Sequence, residues 1–97
     1  MSLSKDKIKQ LRQIGHGLKP IVTVGDNGFS DTVVNELLRA LQDHELIKVK
    51  IPNEDRENIV AELCKLTGAK LVQRIGNVAL VFKAAAEPNP KLSNLLR

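Results

Sequence analysis

Hydrophobic and polar positions along the chain repeat with two different periods, which separate predicted helices from predicted strands. Three stretches repeat apolar residues every three or four positions, as amphipathic helices do. Four shorter stretches are β-branched or alternate apolar with polar residues, as half-buried strands do. In chain order these elements predict helix, strand, helix, strand, helix, strand, strand.

Each predicted helix follows a residue whose side-chain oxygen can accept a hydrogen bond from a backbone N–H of the first turn. These predicted N-caps are Ser4, Ser30 and Asn53. Cys64 lies beside the apolar stripe of the third helix, which predicts a small packed side chain. The three stripes consist of Ile8, Leu11 and Ile14, then Val33, Val34, Leu37, Leu38 and Leu41, then Ile59, Val60, Leu63 and Leu66.

Residues 46–51 alternate between apolar and basic side chains. Lys48 and Lys50 lie on one side of this predicted strand, opposite three β-branched residues. We expect helices to cover the β-branched side and water to cover the lysine side. The order of elements then predicts an α/β fold, a two-layer αβαβαββ sandwich with a four-stranded mixed sheet and helices mainly on one face.

The last two predicted strands form a hairpin. Residues 69–75 and 78–83 flank Gly76-Asn77, a two-residue turn signal. In the first of these strands, Lys70 and Arg74 are expected to share a face. The chain after this hairpin is rich in alanine and broken by prolines, so we expect residues 1–84 to form the domain and residues 85–97 a flexible or loosely docked tail.

Composition narrows the class of protein. The 97 residues, 42% hydrophobic and 27% charged, suit one globular domain. A single cysteine excludes an internal disulfide and a cysteine-based metal site. No apolar run approaches the roughly 20 residues that cross a bilayer. We therefore expect a cytoplasmic protein without a membrane partner, and the simplest expectation for its oligomeric state is a monomer.

Candidate catalytic groups do not form a recognisable site. Asp43, His44 and Glu45 are neighbours at a predicted helix end, where side chains rarely converge on one substrate atom. His16 and His44 have no companion at metal-ligand spacing, and the Gly-Lys-Ser/Thr ending of a phosphate-binding P-loop is absent. The sequence predicts a protein with no catalytic residues, no metal, no cofactor and no small-molecule substrate.

Charge is distributed unevenly along the chain. Residues 1–24 and 64–83 each carry a net charge of +4, whereas residues 25–47 carry −4, which predicts a surface with one positive face. The two phenylalanines are too few for a base-stacking platform, so any nucleic-acid contact would be directed to phosphates. A solvated mixture of charges explains the same pattern. The basic residues considered for contact are Lys5, Lys9 and Arg12 on one side of the first helix, then Lys19, Lys48, Lys50 and Arg74.

The segment Gly25-Asp26-Asn27-Gly28 connects the first strand to the second helix. Glycine allows a tight turn and a close backbone approach, and the following helix presents its positive end. A GxxG loop that clamps the nucleic-acid backbone is one mode of single-stranded RNA recognition. An ordinary strand-to-helix turn uses the same residues, so the motif alone leaves both interpretations open.

Five blocks of sequence resemble a known family. They are residues 18–22, 25–28, 44–51, 67–69 and 72–76, read as LKPIV, GDNG, HELIKVKI, TGA and VQRIG. In this order they resemble the CRM domain, the chloroplast RNA splicing and ribosome maturation module, in its stand-alone bacterial YhbY-like form. The resemblance extends from about Ser4 to Lys83.

The resemblance implies a fold similar to the C-terminal domain of bacterial translation initiation factor 3, and RNA binding without catalysis. Single-domain bacterial relatives are associated with precursors of the large ribosomal subunit, so the implied partner is ribosomal RNA. Residues 25–28 would contact the RNA, although Asp26 stands where a basic residue would favour phosphate. Backbone N–H groups would then make the contact, with charge from nearby lysines and arginines. The alternative is a protein–protein interaction module that uses the acidic second helix or the C-terminal tail.

Overall fold

Three helices and four strands make up the part of the chain that the computed structural model describes, residues 3–25, 28–52 and 55–95. This small α/β domain with a mixed sheet confirms the predicted fold class and element order. No helix within these ranges is long and apolar enough to cross a membrane. The elements are α1 (Lys5–Gly15), β1 (Pro20–Thr23), α2 (Asp31–His44), β2 (Leu46–Lys50), α3 (Arg56–Thr67), β3 (Lys70–Ile75) and β4 (Val78–Phe82).

The strands form one sheet in the order β1-β2-β4-β3. β1 pairs in parallel with β2, whereas β4 pairs antiparallel with both β2 and β3. β3 therefore runs in the same direction as β1 and β2, as their helical crossovers predict, but β4 separates it from β2. The two-residue turn at Gly76-Asn77 joins β3 to β4 as predicted.

Side-chain caps begin α1 and α2 as predicted. The hydroxyl of Ser4 accepts a hydrogen bond from the N–H three residues later (3.1 Å), and Ser30 does the same (3.2 Å). α3 begins at Arg56, with Asp55 in the N-cap position and no side-chain cap bond there. The cap position is therefore two residues later than predicted, and Asn53 itself lies outside the described residues.

α2 and α3 cover one face of the sheet, and most of the apolar core lies beneath them. Leu37 and Leu41 of α2 and Leu63 of α3 have at most 1% of their surface exposed. Burying a side chain of this size contributes about 1.5–3 kcal/mol, so this face dominates the stability of the domain. The helices lie mainly on one face, as predicted. The strand residues in this core are Val22, Ile47, Val49, Ala79 and Val81.

α1 packs on the opposite face, which was expected to face water. Leu11 is fully buried there in a cluster with Leu80. A Cβ at position 15 would lie 2.5 Å from a methyl carbon of Leu80, so Gly15 permits the close approach of the helix. The reason is the sequence of β4, Val78–Phe82, which has no polar residue. Such a continuous apolar run is typical of a strand buried on both faces.

A β-bulge in β3 determines the faces on which its basic residues lie. Lys70 pairs with Phe82 and Arg74 pairs with Ala79, with an extra residue, Val72, between the two parts of the ladder. Residues paired across a ladder project to the same side of a sheet. Phe82 packs with α1, and Ala79 belongs to the core beneath α2 and α3. Lys70 and Arg74 therefore lie on opposite faces, and the expectation that they share one is wrong.

Residues 84–95 contact the body of the domain where α2 meets β2. Glu45 lies at this junction with 5% of its surface exposed and a φ of 64°. Its carboxylate accepts hydrogen bonds from the Ser93 hydroxyl (2.8 Å) and the Ala85 N–H (3.0 Å). One carboxylate thus holds two points of the segment. The division of the chain at residue 84 stays a prediction.

Candidate nucleic-acid interface

The GxxG loop lies at the carboxyl ends of β1 and β2. The N–H of Val24 donates to the carbonyl of Lys50 (2.8 Å), which holds the start of the loop beside the end of β2. The N–H of Gly28 donates to the carbonyl of Gly25 (3.0 Å) and closes a four-residue turn. Gly28 has a φ of 75°, a conformation that glycine adopts without strain. The middle residues of the loop, Asp26-Asn27, lie outside the described residues.

Neither glycine of the loop is needed for close packing against the described part of the chain. A Cβ at Gly25 or at Gly28 would meet no described heavy atom within 4 Å. Among the described residues, nothing therefore fills the space beside either glycine. α2 begins directly afterwards and adds the partial positive charge of its first turn, which the carboxylate of Asp31 offsets in part.

Lys48 and Lys50 lie on the sheet face that α1 leaves open. Lys48 pairs with Leu80 and Lys50 pairs with Val78, so all four side chains project to one side. Lys48 is half-buried and Lys50 is exposed. We call the surface formed by these two lysines and the adjoining groove the open sheet face. The groove has a volume of about 210 Å³ and is lined by Pro20, Lys48, Gln73, Ile75, Val78 and Leu80.

Lys19 extends the open sheet face toward the connection between α1 and β1. It lines a second groove, of about 220 Å³, together with Lys48. Lys19 therefore lies near Lys48 at the amino end of β1, whereas Lys50 lies at the carboxyl ends of β1 and β2, beside the start of the GxxG loop. A lysine ammonium carries three N–H donors, and such groups contact phosphate oxygens without reading base sequence.

The basic residues predicted on α1 form a separate exposed ridge. Lys5, Lys9 and Arg12 are all exposed and follow one another at helical spacing, away from the buried Leu11. α1 lies on the same side of the sheet as Lys48, so this ridge and the open sheet face belong to the same side of the domain.

Arg74 lies apart from the other predicted residues. It lines a groove with Asp55 and Glu57 at the start of α3, on the face opposite to Lys48. Its Nη1 donates to the carbonyl of Gly76 (3.1 Å), which ties the side chain to its own hairpin turn. The structure therefore does not bring Arg74 together with the lysines of β2.

Three lysines that were not among the basic residues considered for RNA contact meet at the first turn of α1. Lys7, Lys70 and Lys83 line one groove of about 540 Å³, which we call the three-lysine groove. The pairing register of the β3–β4 hairpin could have indicated part of this groove. With one bulge in β3, Lys70 lies opposite Phe82. The position of Lys7 depends on how α1 packs, which no local pattern specifies.

Two titratable side chains that could suggest catalysis, His44 and Cys64, lie in environments that do not favour a catalytic role. The Nδ1 of His44 donates to the carbonyl of Leu92 (2.8 Å), so this imidazole holds the C-terminal segment. Burial raises the pKa of the Cys64 thiol, although the nearby Lys70 cation lowers it, and a protonated thiol is a weak nucleophile. Among the described residues, no group of three or more His, Cys, Asp or Glu side chains could hold a metal ion.

These features define a small α/β domain in which a glycine turn adjoins a lysine-bearing sheet face. The sequence model of the CRS1 / YhbY (CRM) domain matches residues 3–83. The chain belongs to this family, as the five sequence blocks predict.

Relatives of similar length share this domain. A probable RNA-binding protein of Pseudomonas aeruginosa is 46% identical over 100 residues, which cover 100% of this chain and 96% of that protein. An RNA-binding protein of Haemophilus influenzae is 35% identical, over 94% of this chain and 95% of its own length. The solution structure of a hypothetical protein of Staphylococcus aureus matches with a TM-score of 0.76 and 26% identity, covering 89% of this chain and 93% of that one. The family name and the names of the first two relatives describe RNA-associated proteins rather than enzymes.

Proposed function

We propose that this protein binds RNA without catalysis, associates with ribosomal RNA or large-subunit precursors, and assists ribosome assembly. The observation that carries this proposal is the pair of lysines on the open sheet face, Lys48 and Lys50, of which Lys50 lies beside the start of the GxxG loop. Lys19 adds a third cation near Lys48. Membership of the CRS1/YhbY family and the names of its relatives support RNA as the class of partner. The ribosomal assignment follows from the resemblance to single-domain bacterial members.

In this proposal the loop and the lysines contribute different interactions. The glycines at positions 25 and 28 allow an RNA strand to approach backbone N–H groups closely. The lysines contribute Coulombic attraction to phosphates, which positions the strand without reading its sequence. Phe29 and Phe82 are half-buried against the two cores, so base stacking on aromatic rings has no part in the proposal.

Charge reversal on β2 tests the proposed surface. The double variant Lys48→Glu with Lys50→Glu places like charges opposite RNA phosphates, and we expect affinity for ribosomal RNA to fall about tenfold or more at low salt. Neither side chain belongs to the apolar core, so circular dichroism should show an intact fold.

A matched control changes net charge equally at exposed positions away from β2. Lys65→Glu with Lys91→Glu places its changes on α3 and on the C-terminal segment. We expect this control to bind RNA nearly as tightly as the unmodified protein. Equal losses in the two double variants would show that the open sheet face is not the binding surface.

Cross-linking in growing cells tests the ribosomal part of the proposal. We expect the RNA fragments attached to the protein to derive mainly from large-subunit ribosomal RNA and its precursors. Enrichment of other RNA classes alone would contradict the role in ribosome assembly and leave RNA binding intact.

The alternative is a protein interaction module that uses α2 or the C-terminal segment. Leu95 packs in the core cluster beneath α1, so this leucine is already occupied within the chain. RNA binding therefore receives more support from the geometry.

A further inference from the structure

We propose that the three-lysine groove is a second anion site, which holds one phosphate group of the bound RNA. This inference rests on the proposed RNA binding and extends it to the far end of the sheet. Lys7, Lys70 and Lys83 contribute the charge, and none of the residues that line the groove is acidic. The remaining lining residues are Leu3, Ser4, Gly68, Phe82 and Ala84.

The charge arrangement in the groove favours an anion. The lysines come from three different elements, α1, β3 and the segment after β4, so their positions relative to one another are set by the fold. Like charges that converge on one groove repel each other, and an anion between them offsets that repulsion. A phosphate group offers two or three charged oxygens, and each can accept a charge-assisted hydrogen bond from an ammonium group.

Two of the ammonium groups lie against the walls of the groove, beside Gly68 and Phe82. Gly68 ends α3 with a φ of 78°, and a Cβ at this position would lie 3.6 Å from both Cε and Nζ of Lys83. On the other wall, Nζ of Lys7 lies 5.8 Å from the centroid of the Phe82 ring, a cation–π contact that orients this lysine. An apolar ring beside the site also weakens dielectric screening of the bound charge.

The first turn of α1 adds a smaller contribution. Ser4, the N-cap of α1, lines the groove, so the partial positive charge of the helix terminus faces the same space. Asp6 in that turn is exposed and is not among the lining residues. The helix terminus therefore strengthens a site that the three lysines already define.

The groove and the GxxG loop lie at opposite ends of the sheet. Phe82 pairs with Lys70 at one end of β4, and Val78 pairs with Lys50 at the other. Val78 and Phe82 are four residue steps apart along β4, a distance of about 13 Å. α1 covers Leu80 and Phe82 between the two ends, so an RNA strand that contacts both the open sheet face and the groove would pass along or over α1.

Alanine substitution of two of the lysines tests the groove. Lys70→Ala with Lys83→Ala removes two ammonium groups and leaves the contact between Lys7 and Phe82 in place. We expect the affinity of the full chain for a single-stranded RNA oligonucleotide to fall about fivefold at low salt. The slope of log affinity against log salt concentration should become shallower by about 0.7, the value for one phosphate on a single strand.

The matched control is Arg39→Ala with Lys91→Ala, which removes the same charge at exposed positions of α2 and the C-terminal segment. We expect the control to retain the affinity and the salt slope of the unmodified protein. Equal losses in the two variants, with RNA binding by the unmodified protein intact, would overturn the groove and leave the proposed function standing. Failure of the unmodified protein to bind RNA would overturn both.

Oligonucleotides that carry a 5′-phosphate or a 5′-hydroxyl separate the two sources of phosphate. A preference for the 5′-phosphate that the Lys70→Ala, Lys83→Ala variant loses would assign a terminal phosphate to the groove. An equal loss of affinity for both oligonucleotides, beyond the loss in the control, would assign an internal phosphodiester.

Discussion

Gly25 and Gly28 stand at the two ends of one turn but differ in what they require of the backbone. Gly28 has a φ of 75°, whereas Gly25 is not among the described residues with positive φ. A Cβ at either position would meet no described heavy atom within 4 Å. Substitutions at the two positions therefore separate two effects: the backbone conformation that the turn requires, and the access of a ligand to the loop.

We expect Gly28→Ala to lower the free energy of unfolding by about 1 kcal/mol, because a Cβ is unfavourable in the left-handed region. Gly25→Ala should stay within about 0.5 kcal/mol of the unmodified protein. Urea denaturation measures both. If the loop contacts an RNA strand as proposed, each added methyl group would hinder that contact, and both variants should bind RNA more weakly. Equal free energies of unfolding for Gly28→Ala and Gly25→Ala would show that the turn does not require glycine at position 28.

At the scale of elements, the sequence predicts every helix and strand but only part of their assembly. The serine caps, the lysine alternation of β2 and the Gly76-Asn77 turn are local signals, and each is confirmed. The sheet has a second apolar face, beneath α1, because the apolar strand Val78–Phe82 lies between two other strands. That central position depends on how the strands assemble and is not visible in the local sequence. The bulge at Val72 has no local signature in the sequence, and it separates Arg74 from Lys70.

The same distinction explains which basic residues the sequence groups correctly. Lys48 and Lys50 belong to one strand, so the period of two specifies their common face. Lys7, Lys70 and Lys83 meet only because α1 packs across the end of the β3–β4 hairpin. Residues from separate elements come together only when those elements pack. The hydrophobic pattern predicts which faces of the elements pack, but it does not specify how the elements are aligned.

The junction of α2 with β2 depends on one carboxylate. Replacing Glu45 by alanine leaves the buried Ser93 hydroxyl and the Ala85 N–H without the partner they have in the structure. We expect Glu45→Ala to lower the free energy of unfolding by about 2 kcal/mol. The exposed Glu62 of α3 provides the control, since Glu62→Ala should change it by less than about 0.5 kcal/mol. Urea denaturation measures both variants. If Glu45→Ala and Glu62→Ala lower the free energy of unfolding by similar amounts, the contact of Glu45 with the C-terminal segment contributes nothing to stability.

Across the whole molecule, the two sides of the sheet differ in charge. α1 carries a net charge of +3 and lies on the same side as Lys48 and Lys50, whereas α2 carries −2 and lies on the other side. The open sheet face, the exposed ridge of α1 and the three-lysine groove therefore occupy one side of the domain. An RNA strand on this side would meet cations along its path, while the side of α2 would repel it.

The salt dependence of RNA affinity tests this account most directly. If Lys19, Lys48 and Lys50 each neutralise one phosphate, log affinity for a single-stranded ribosomal RNA fragment should fall against log salt concentration with a slope of roughly −2 or steeper. A protein interaction module would show no such binding. A slope near zero, or no measurable affinity at low salt, would contradict the proposal that this domain binds RNA through its basic side.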